Sequence, residues 1–378
     1  MYKLRVLSLF SGIGAFEKAL TNLNIPYELV GFSEIDKYAI KSYCAIHNVS
    51  EDKNLGDVKY INEKELPDFD LMTFGFPCQD ISIAGKGLGM KKGTRSNLYN
   101  EGMRILKSKI PKYSIIENVK NLTGKKFKDE FKQILQDLSD LGYSNYWQVL
   151  NAKDYGIPQS RERVFIISIL GNHTMFQFPE PFELKLRLKD MLEDTVDEKH
   201  YISDEKVIDL VNELKYKKET NTSKTIKVGN VHPSKTGMNG NVYSSEGLAP
   251  TITTNKGEGS KILINTQSCI CIGRLDCIKG HDILKRVYSI EGLSPTIPTC
   301  CGGNQHPKII QNDYRIRKLV PLECFRLMGF SDTDFQRCID IGTSNTQLYK
   351  QAGNSIVVNI LEEIFIKLKY FNKYYNYN

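Results

Sequence analysis

The feature that most constrains the fold is an alternation of short apolar runs with helix-like stretches, which continues to Leu170. The apolar runs have the length and composition of strands and cover residues 6–10, 29–33, 71–74, 114–116, 148–150 and 164–170. Helical patterns separate them at residues 15–20, 38–46, 97–108 and 128–141. Such alternation favours a largely parallel sheet that is covered on both faces and carries its sites at the carboxyl ends of the strands. The sequence therefore predicts an α/β domain over residues 1–172.

Beyond Asn172 the sequence becomes rich in Pro, Gly, Asn and Thr, and it contains an internal repeat. Residues 242–254 recur at 287–299 with ten of thirteen positions identical, and the similarity extends to 226–262 and 270–309. A unit of roughly 45 residues has been duplicated, and two copies are too few for a solenoid. We predict a smaller β-rich domain with paired lobes over residues 173–318. Helical periodicity returns after Leu319, which predicts that residues 319–378 form a C-terminal segment packing back on the first domain.

Positive charge is concentrated in the repeat region. The chain has a formal net charge of +7, and residues 220–320 hold 13 basic and 6 acidic side chains, so the whole excess falls there. A local positive field suits a polyanion such as nucleic acid, through phosphate neutralisation and counterion release. A solvated surface explains the same pattern, and charge alone does not separate the two readings.

Cysteine usage and hydropathy bound the cellular setting. The nine cysteines are irregularly spaced and no charged-then-apolar leader is visible, so we expect reduced thiols and a cytoplasmic protein. No apolar run approaches the ~20 residues that cross a bilayer, so no membrane span is expected. A loose cluster of thiols and imidazoles raises the alternative of a zinc-binding module. The cluster comprises Cys269, Cys271, Cys277, His281, Cys300, Cys301 and His306. Because the spacing is not paired and the first copy lacks equivalents, no metal is predicted.

A glycine turn follows the first predicted strand. The segment Phe10-Ser11-Gly12-Ile13-Gly14 leads into a helix, and such a turn lets a cofactor approach the backbone closely. The second strand delivers Glu34, which is placed to accept hydrogen bonds from a ribose. The pattern fits a dinucleotide or S-adenosylmethionine. Glu17 stands where a dinucleotide fold has its third glycine, and we expect its charge to repel a pyrophosphate, which favours the methionine cofactor.

A thiol and a carboxyl are predicted at neighbouring strand ends. Cys78 follows the strand at 71–74, and Glu117 follows the strand at 114–116. At one sheet edge they form a candidate nucleophile and acid pair. An inert buried thiol is the alternative for Cys78, since free cysteine packs like a small hydrophobe.

A pair of arginines opens the last strand of this domain. Gln159, Arg161 and Arg163 alternate in an extended segment and therefore point the same way. Two guanidinium groups there can hold carbonyl or anionic oxygens and lower the pKa of a nearby thiol. The alternative is a structural salt bridge with Glu162.

Together these elements resemble the bacterial cytosine-5 DNA methyltransferases over almost the whole chain. Eight segments match in family order, namely residues 10–14, 34–36, 56–58, Gly75-Phe76-Pro77-Cys78-Gln79, Glu117-Asn118-Val119, Gln159-x-Arg161-x-Arg163, 317–329 and Gln351-Ala352-Gly353-Asn354-Ser355. Ala15 departs from the pattern, since many members have a second glycine there. The resemblance implies a Rossmann-like methyltransferase sheet with a smaller target-recognition domain.

The resemblance also implies roles at the two sites. Cys78 adds to the cytosine, Glu117 contacts ring nitrogen-3, and Arg161 contacts the base carbonyl. Arg163 serves the scaffold or a phosphate, while Asn118 and Pro77 hold the nucleophile loop. The cofactor S-adenosyl-L-methionine, which leaves as S-adenosyl-L-homocysteine, is assigned to Phe10, Gly12, Ile13, Gly14, Glu34, Ile35, Asp57, Val58, Pro77, Leu98, Asn354 and Ser355.

Double-stranded DNA is the implied partner, and the target cytosine must leave the helix to be reached. The repeat region is expected to choose the target. Either both copies read the major groove through their Pro-Thr-Ile elements, or one copy reads while the other packs. Candidate DNA-contacting residues are Gln79, Ser82, Arg95, Lys227, Lys235, Thr251, Arg274, Arg286 and Thr296.

The resemblance sets the wider expectations as well. We expect a monomer in the bacterial or phage-infected cytoplasm, associated with the nucleoid and with a possible separate restriction endonuclease. RNA methylation by the related branch is the alternative function. The segment from Gln79 to Leu98 is expected to close over the base.

Overall fold

The computed structural model describes residues 3–77, 98–200, 227–230, 241–244, 261–263, 269, 271–275, 278, 281–297, 306–310 and 316–368. Of residues 227–230, 241–244, 261–263, 316 and 318 it describes the backbone alone. The chain divides into two compact units. The first comprises Met1–Leu186, Thr296–Gly303 and Pro321–Asn378, and the second comprises Arg187–Pro295 and Asn304–Val320.

The first unit is built on one six-stranded sheet. Its strands are β1 (Leu4–Leu9), β2 (Tyr27–Ser33), β3 (Leu71–Phe74), β4 (Tyr113–Val119), β5 (Tyr143–Asn151) and β6 (Glu162–Leu170). They lie in the order β2-β1-β3-β4-β6-β5, and of these six only β6 runs against the rest. The predicted α/β fold with a largely parallel sheet is confirmed. The chain leaves β1 for β2 on one side and returns to β3 on the other, which makes the β1–β3 boundary the point where ligands bind in such sheets.

Four helices follow the early strands, at α1 (Ala15–Asn22), α2 (Lys37–His47), α3 (Tyr99–Lys109) and α4 (Lys128–Asp140). α3 and α4 place apolar side chains such as Leu106 and Ile134 in one core with Phe74 of β3. All four residues of β3 are buried, which is the pattern of a strand covered on both faces. α2 begins where it does because the Asp36 carboxylate accepts hydrogen bonds from the free backbone N–H groups of Tyr38 and Ala39.

The two repeat copies in the second unit have the same strand pairing. The strands are β7 (Lys227–Asn230), β8 (Asn241–Ser244), β9 (Lys261–Leu263), β10 (Cys271–Arg274), β11 (Arg286–Ser289), β12 (Lys308–Ile310) and β13 (Ile316–Lys318), with a short helix α5 (Asp282–Lys285) before β11. β7 pairs with β8 as β10 pairs with β11, antiparallel and with a register shift at the same place. β8 pairs with β9 as β11 pairs with β12, in parallel. Each copy is therefore the same supersecondary unit, and β13 extends only the second sheet.

The C-terminal part of the chain returns to the first unit as four helices, α6 (Pro321–Arg326), α7 (Asp332–Asp340), α8 (Asn345–Asn354) and α9 (Val358–Lys367). The nearly buried Asp334 of α7 forms an ion pair of 2.8 Å with Lys18 of α1. Arg337 donates to the carbonyl oxygen of Ile46 at the end of α2. These contacts attach the C-terminal helices to the two helices that flank the glycine turn.

The described helices include none that is long and apolar enough to cross a membrane. The compact units end at Leu186 and Val320, whereas the sequence places its domain limits at residues 172 and 318.

Candidate functional site

A cleft of about 970 Å³ opens at the carboxyl ends of β1 to β4. Its walls come from the turns after these strands, from the start of α2, from Arg161 and Arg163, from Thr296 and Ile297, and from the end of α8. Because the cleft lies at the β1–β3 boundary, it occupies the expected ligand position of the fold.

The glycine turn after β1 adopts left-handed backbone geometry at three positions. Phe10 has φ 54°, Gly12 has φ 55° and Gly14 has φ 80°. A non-glycine residue in this region is strained, and such strain is concentrated at functional sites. A Cβ added at Gly12 would meet no atom within 4 Å, so the turn leaves open space on that side for a bound molecule.

Glu34 organises the turn from the end of β2. Its Oε2 accepts the Gly12 N–H at 2.9 Å, and its Oε1 accepts the N–H groups of Ile35 and Asp36 at 2.8 and 2.9 Å. Oε1 thus has both of its lone pairs used, whereas Oε2 retains acceptor capacity for a ligand hydroxyl. The neighbouring Ile35 side chain is 72% exposed although it is apolar, which leaves an uncovered flat surface for an aromatic ring.

Most of the residues predicted for the cofactor line this cleft. They are Phe10, Gly12, Ile13, Glu34, Ile35, Asp57, Val58, Pro77, Leu98 and Asn354. Gly14 and Ser355 do not line it. Gly14 packs against Tyr43 and His47 of α2, and the Ser355 hydroxyl donates to the Ile356 carbonyl.

Glu17 does not act as the sequence suggested. Its side chain is fully buried in α1 and is absent from the cleft wall, so it cannot repel a bound phosphate as expected. Burial raises the pKa of this carboxyl, and the hydroxyls of Ser8 and Tyr43 beside it act in the opposite direction. Neither carboxyl oxygen has a well-formed hydrogen bond. The argument against a dinucleotide from Glu17 was therefore wrong, because i to i+3 spacing after Gly14 turns the side chain into the core.

The ends of β3 and β4 meet at the floor of the cleft. Asn118 Nδ2 donates to the Phe76 carbonyl oxygen at 3.1 Å. A Cβ added at Gly75 would lie 3.2 Å from Glu117 Oε2, so glycine allows the two strand ends to approach. Pro77 is the last described residue of this segment, and Cys78 lies outside the described residues.

Glu117 is a buried carboxyl with one arginine partner at the cleft. Its Oε1 lies 3.1 Å from Arg163 Nε, and both side chains are mostly buried. Burial raises the Glu117 pKa, while the charges of Arg163 and then Arg161 lower it. A carboxyl with a raised pKa retains a proton more readily and can donate a hydrogen bond to a basic ring nitrogen.

The two arginines have different partners inside the protein. The Arg161 guanidinium is buried and donates to the carbonyl oxygens of Ile297, Gly353 and Ser355 at 3.2, 3.0 and 2.7 Å. Arg163 is the arginine paired with Glu117. Both arginines line the cleft, and the contact of Arg161 with the base carbonyl stays a prediction.

Some residues that line the cleft were not predicted from the sequence. Lys350 of α8 forms an ion pair of 2.5 Å with Asp36, and both side chains line the cleft with Tyr38 and Gln351. The signal was available in part, since Asp36 and Gln351 lie within matched motifs. Lys350 carried no sequence signal, because only the fold brings α8 to the start of α2.

The predicted DNA-contacting residues fall into three groups. Thr296 donates from its hydroxyl to the Ser160 carbonyl at 2.7 Å. In the second unit, Arg274 and Arg286 both form ion pairs with Asp282. Lys227 is described by its backbone in β7, and the residues outside the described part of the chain are Gln79, Ser82, Arg95, Lys235 and Thr251.

The described residues contain no group of three or more metal-binding side chains. Of the thiols in the loose cluster, Cys277, Cys300 and Cys301 lie outside the described residues. Cys269 and Cys271 are not joined in a disulfide, and their thiols donate to the carbonyl oxygens of Ser294 and Gly273.

Comparison with known proteins agrees with the geometry. Residues 4–370 match the model of the family described as C-5 cytosine-specific DNA methylase. The orphan methyltransferase M.SPRI of Bacillus phage SPR is 40% identical over 99% of both chains. The type II methyltransferase M.HhaI of Haemophilus parahaemolyticus is 34% identical over 96% of this chain and 93% of its own.

Solved structures show the same fold at lower identity. The S. pombe Dnmt2 methyltransferase superposes with a TM-score of 0.63 at 19% identity, covering 99% of this chain and all of its own. On the family match and the bacterial and phage relatives, this chain belongs to the C-5 cytosine-specific DNA methylase family and is a DNA (cytosine-5-)-methyltransferase.

Proposed function

We propose that this enzyme methylates carbon-5 of a cytosine that has been extruded from a specific double-stranded DNA sequence, through a covalent adduct with Cys78. The observation that carries the proposal is the buried Glu117–Arg163 pair at the cleft floor, beside the turn that leads into Cys78. A base can reach this floor only outside the helix, and extrusion costs a few kcal/mol that pocket contacts offset. The match to the family described as C-5 cytosine-specific DNA methylase supports this over the RNA alternative.

The cleft residues fit S-adenosylmethionine, the cofactor that this family uses. The exposed Ile35 and Phe10 suit the two faces of an adenine, and Glu34 suits the ribose hydroxyls. Asp57 is assigned to the adenine amine, and the open side of Gly12 with Leu98 and Asn354 to the methionine end. When bound, the cofactor supplies an electrophilic methyl group on a sulfonium.

The protein groups activate the base. The Cys78 thiolate forms a bond to carbon-6, which moves electron density to carbon-5 and makes it nucleophilic. Glu117, whose pKa burial raises, donates to ring nitrogen-3 as charge builds on the ring. Arg163 holds Glu117 in place, and Arg161, which lines the same cleft, is assigned to the base carbonyl. After methylation, loss of the carbon-5 proton to a base breaks the carbon–sulfur bond and releases Cys78.

Target choice is assigned to the duplicated unit. Arg274 and Arg286 share one carboxylate, Asp282, which holds both guanidinium groups at the same end of the hairpin. Arginine is suited to guanine edges in the major groove. Whether both copies read bases or one of them packs stays open. Substitution of Arg274 and Arg286 in one copy, or of Lys227 and Lys235 in the other, followed by sequencing of methylated sites, separates the two.

The wider setting follows from the relatives, which are bacterial and phage proteins. We place the enzyme in the cytoplasm beside the nucleoid, as a monomer, with or without a separate restriction endonuclease.

Cys78→Ser tests the covalent step. Methyl transfer to DNA should be lost, while binding of S-adenosylhomocysteine and of duplex DNA should be retained. The matched control is Cys44→Ser, since Cys44 is a half-buried thiol of α2 outside the cleft and should not be needed for transfer. Bisulfite sequencing of DNA from expressing cells reads out the product. Methylation by the Cys78 variant, or simultaneous loss of cofactor and DNA binding, would contradict the assignment.

A further inference from the structure

Three segments that are far apart in the sequence meet at residues 159–161. Gln159 and Arg161 are 0% and 2% exposed, so their polar groups are removed from water and need partners inside the protein. We call Gln159, Ser160 and Arg161 the bracket. Its partners are the pair Thr296–Ile297, which lies within the second repeat copy, and residues 353–355 at the C-terminal end of α8.

The bracket holds Thr296–Ile297 at three points. The Ser160 carbonyl accepts the Thr296 hydroxyl at 2.7 Å. Gln159 Oε1 accepts the Ile297 N–H at 3.3 Å, and the Ile297 carbonyl accepts from Arg161 at 3.2 Å. Both main-chain groups of Ile297 are therefore satisfied by side chains of the bracket, as a buried extended segment requires.

The same guanidinium holds the wall of the cleft. The second terminal nitrogen of Arg161 donates to the carbonyls of Gly353 and Ser355 at 3.0 and 2.7 Å. Gly353 and Asn354 line the cleft, and Asn354 lies between the two carbonyls that Arg161 binds. A charged donor on neutral carbonyls is stronger than an ordinary hydrogen bond.

We propose that Arg161 is a positioning residue that connects the Thr296–Ile297 pair to the cofactor-binding wall. Through this connection, the placement of Thr296–Ile297 changes the affinity of the wall for the cofactor. The proposal rests on the proposed function, in which this wall holds the methionine end of S-adenosylmethionine. It assigns Arg161 a role in cofactor affinity that needs no contact with the base. It also predicts that a substitution at Thr296 changes the affinity for the cofactor.

The first test is the dissociation constant of S-adenosylhomocysteine, measured by calorimetry on the full chain without DNA. Arg161→Met should weaken binding roughly 10-fold, because two charge-assisted hydrogen bonds to the wall are lost. Arg161→Lys should restore part of the loss, since one donor of the fork is kept. Arg5→Met is the control and should leave this constant within about two-fold, because Arg5 pairs with Asp70 at 2.9 Å and is not part of the cleft lining.

The second test isolates the coupling. Thr296→Val keeps the shape of the side chain but removes its hydroxyl, and in the wild-type background it should weaken cofactor binding about three-fold. In the Arg161→Met background the same change should have no further effect, because the hydrogen bonds from residue 161 to the wall are already lost. A merely structural role of each residue would give additive losses. This cycle uses mild single changes, so it stays informative if Arg161→Met alone folds poorly, with Arg161→Lys taking its place.

The outcomes separate the two proposals. Unchanged cofactor affinity in Arg161→Met, or additive effects of the Arg161 and Thr296 substitutions, would overturn the proposed connection through Arg161. The methyltransferase mechanism would remain intact. Failure of the wild-type chain to bind S-adenosylhomocysteine would overturn the cofactor assignment and the connection through Arg161 together.

Discussion

His47 of α2 lies directly behind the glycine turn, and its titration should control stability below neutral pH. Its Nε2 lies 3.0 Å from the Ile13 carbonyl oxygen, and its ring contacts Tyr43 at a centroid distance of 4.7 Å. Burial lowers the His47 pKa from 6.5 to about 4, against the opposing effects of the Ile13 carbonyl and Asp334. In the folded enzyme the ring is therefore neutral at physiological pH and donates from Nε2 to Ile13.

The sign and size of the effect follow from proton linkage. The folded-state pKa is depressed, so the unfolded chain binds more protons between pH 6.5 and about 4, and stability falls as the pH falls through this window. Each pKa unit corresponds to about 1.4 kcal/mol, so the loss reaches about 3 kcal/mol below the folded pKa. Between about pH 7.5 and 5.5 the His47 contribution is roughly 1.3 kcal/mol.

Urea unfolding of the wild type and of His47→Gln at about pH 7.5 and 5.5 measures the contribution of His47 to the free energy of unfolding. Glutamine places an amide donor near the position of Nε2 and cannot be protonated, so the wild type should lose about 1.3 kcal/mol more than the variant on acidification. His281→Gln is the control, because His281 is exposed in the second unit.

Cofactor affinity gives a second measurement of the role of His47. His47→Leu removes the hydrogen bond to Ile13, which lines the cleft, and should weaken S-adenosylhomocysteine binding about 2- to 10-fold, with His47→Gln close to the wild type. Equal pH dependence in wild type and His47→Gln would refute the view that this imidazole is held neutral by burial.

Four further outcomes are expected. Glu117→Gln should lower kcat about 10²-fold or more in a methyl-transfer assay while cofactor binding persists, and an unchanged kcat would exclude proton donation by Glu117. Gly12→Ala should cost about 1 kcal/mol in unfolding experiments yet reduce cofactor affinity at least about 10-fold, since the new methyl group enters the open side of the cleft. Gly14→Ala should cost about 2 kcal/mol or more, because its Cβ would collide with the His47 ring at Nε2. Equal stability of the two alanine variants would contradict this contrast. Glu17→Gln should stabilise the protein near pH 8, with the gain shrinking toward pH 4, because burial raises the folded-state pKa of Glu17 and wild-type stability therefore falls as the pH rises. A pH-independent difference in urea unfolding would count against it.

Local pattern was sufficient for much of the fold. The six strands of the first unit overlap the predicted apolar runs. β3 and β4 are buried along almost their whole length, and strands buried on both faces need continuous apolar sequence. The edge strand β5 is partly exposed, and the sequence predicted only residues 148–150 of it. The cofactor residues at strand ends were predictable for a related reason, because in a mostly parallel sheet the carboxyl ends of the strands converge on one edge. Glu34 and Glu117 are examples.

Side-chain direction in the turns was not predictable in the same way. Glu17 was expected to face the cofactor and faces the core, because the left-handed Gly14 sets the direction in which α1 starts. Arg161 and Arg163 share an alternating pattern that treats them alike. Their partners distinguish them, and those partners lie at Ile297, Gly353 and Ser355 for one and at Glu117 for the other.

The sequence by itself determined the α/β architecture, the duplication after Asn172, and the family motifs that mark this chain as a cytosine-5 DNA methyltransferase. Those properties depend on periodicity and on residue order, which are local. Only the tertiary structure decided which arginine pairs with Glu117, how Lys350 reaches Asp36, and that Arg161 joins Thr296–Ile297 to the wall of the cleft. These depend on contacts between residues more than a hundred positions apart or on strand-end geometry, and burial then requires each polar group to take the partner that the fold brings to it.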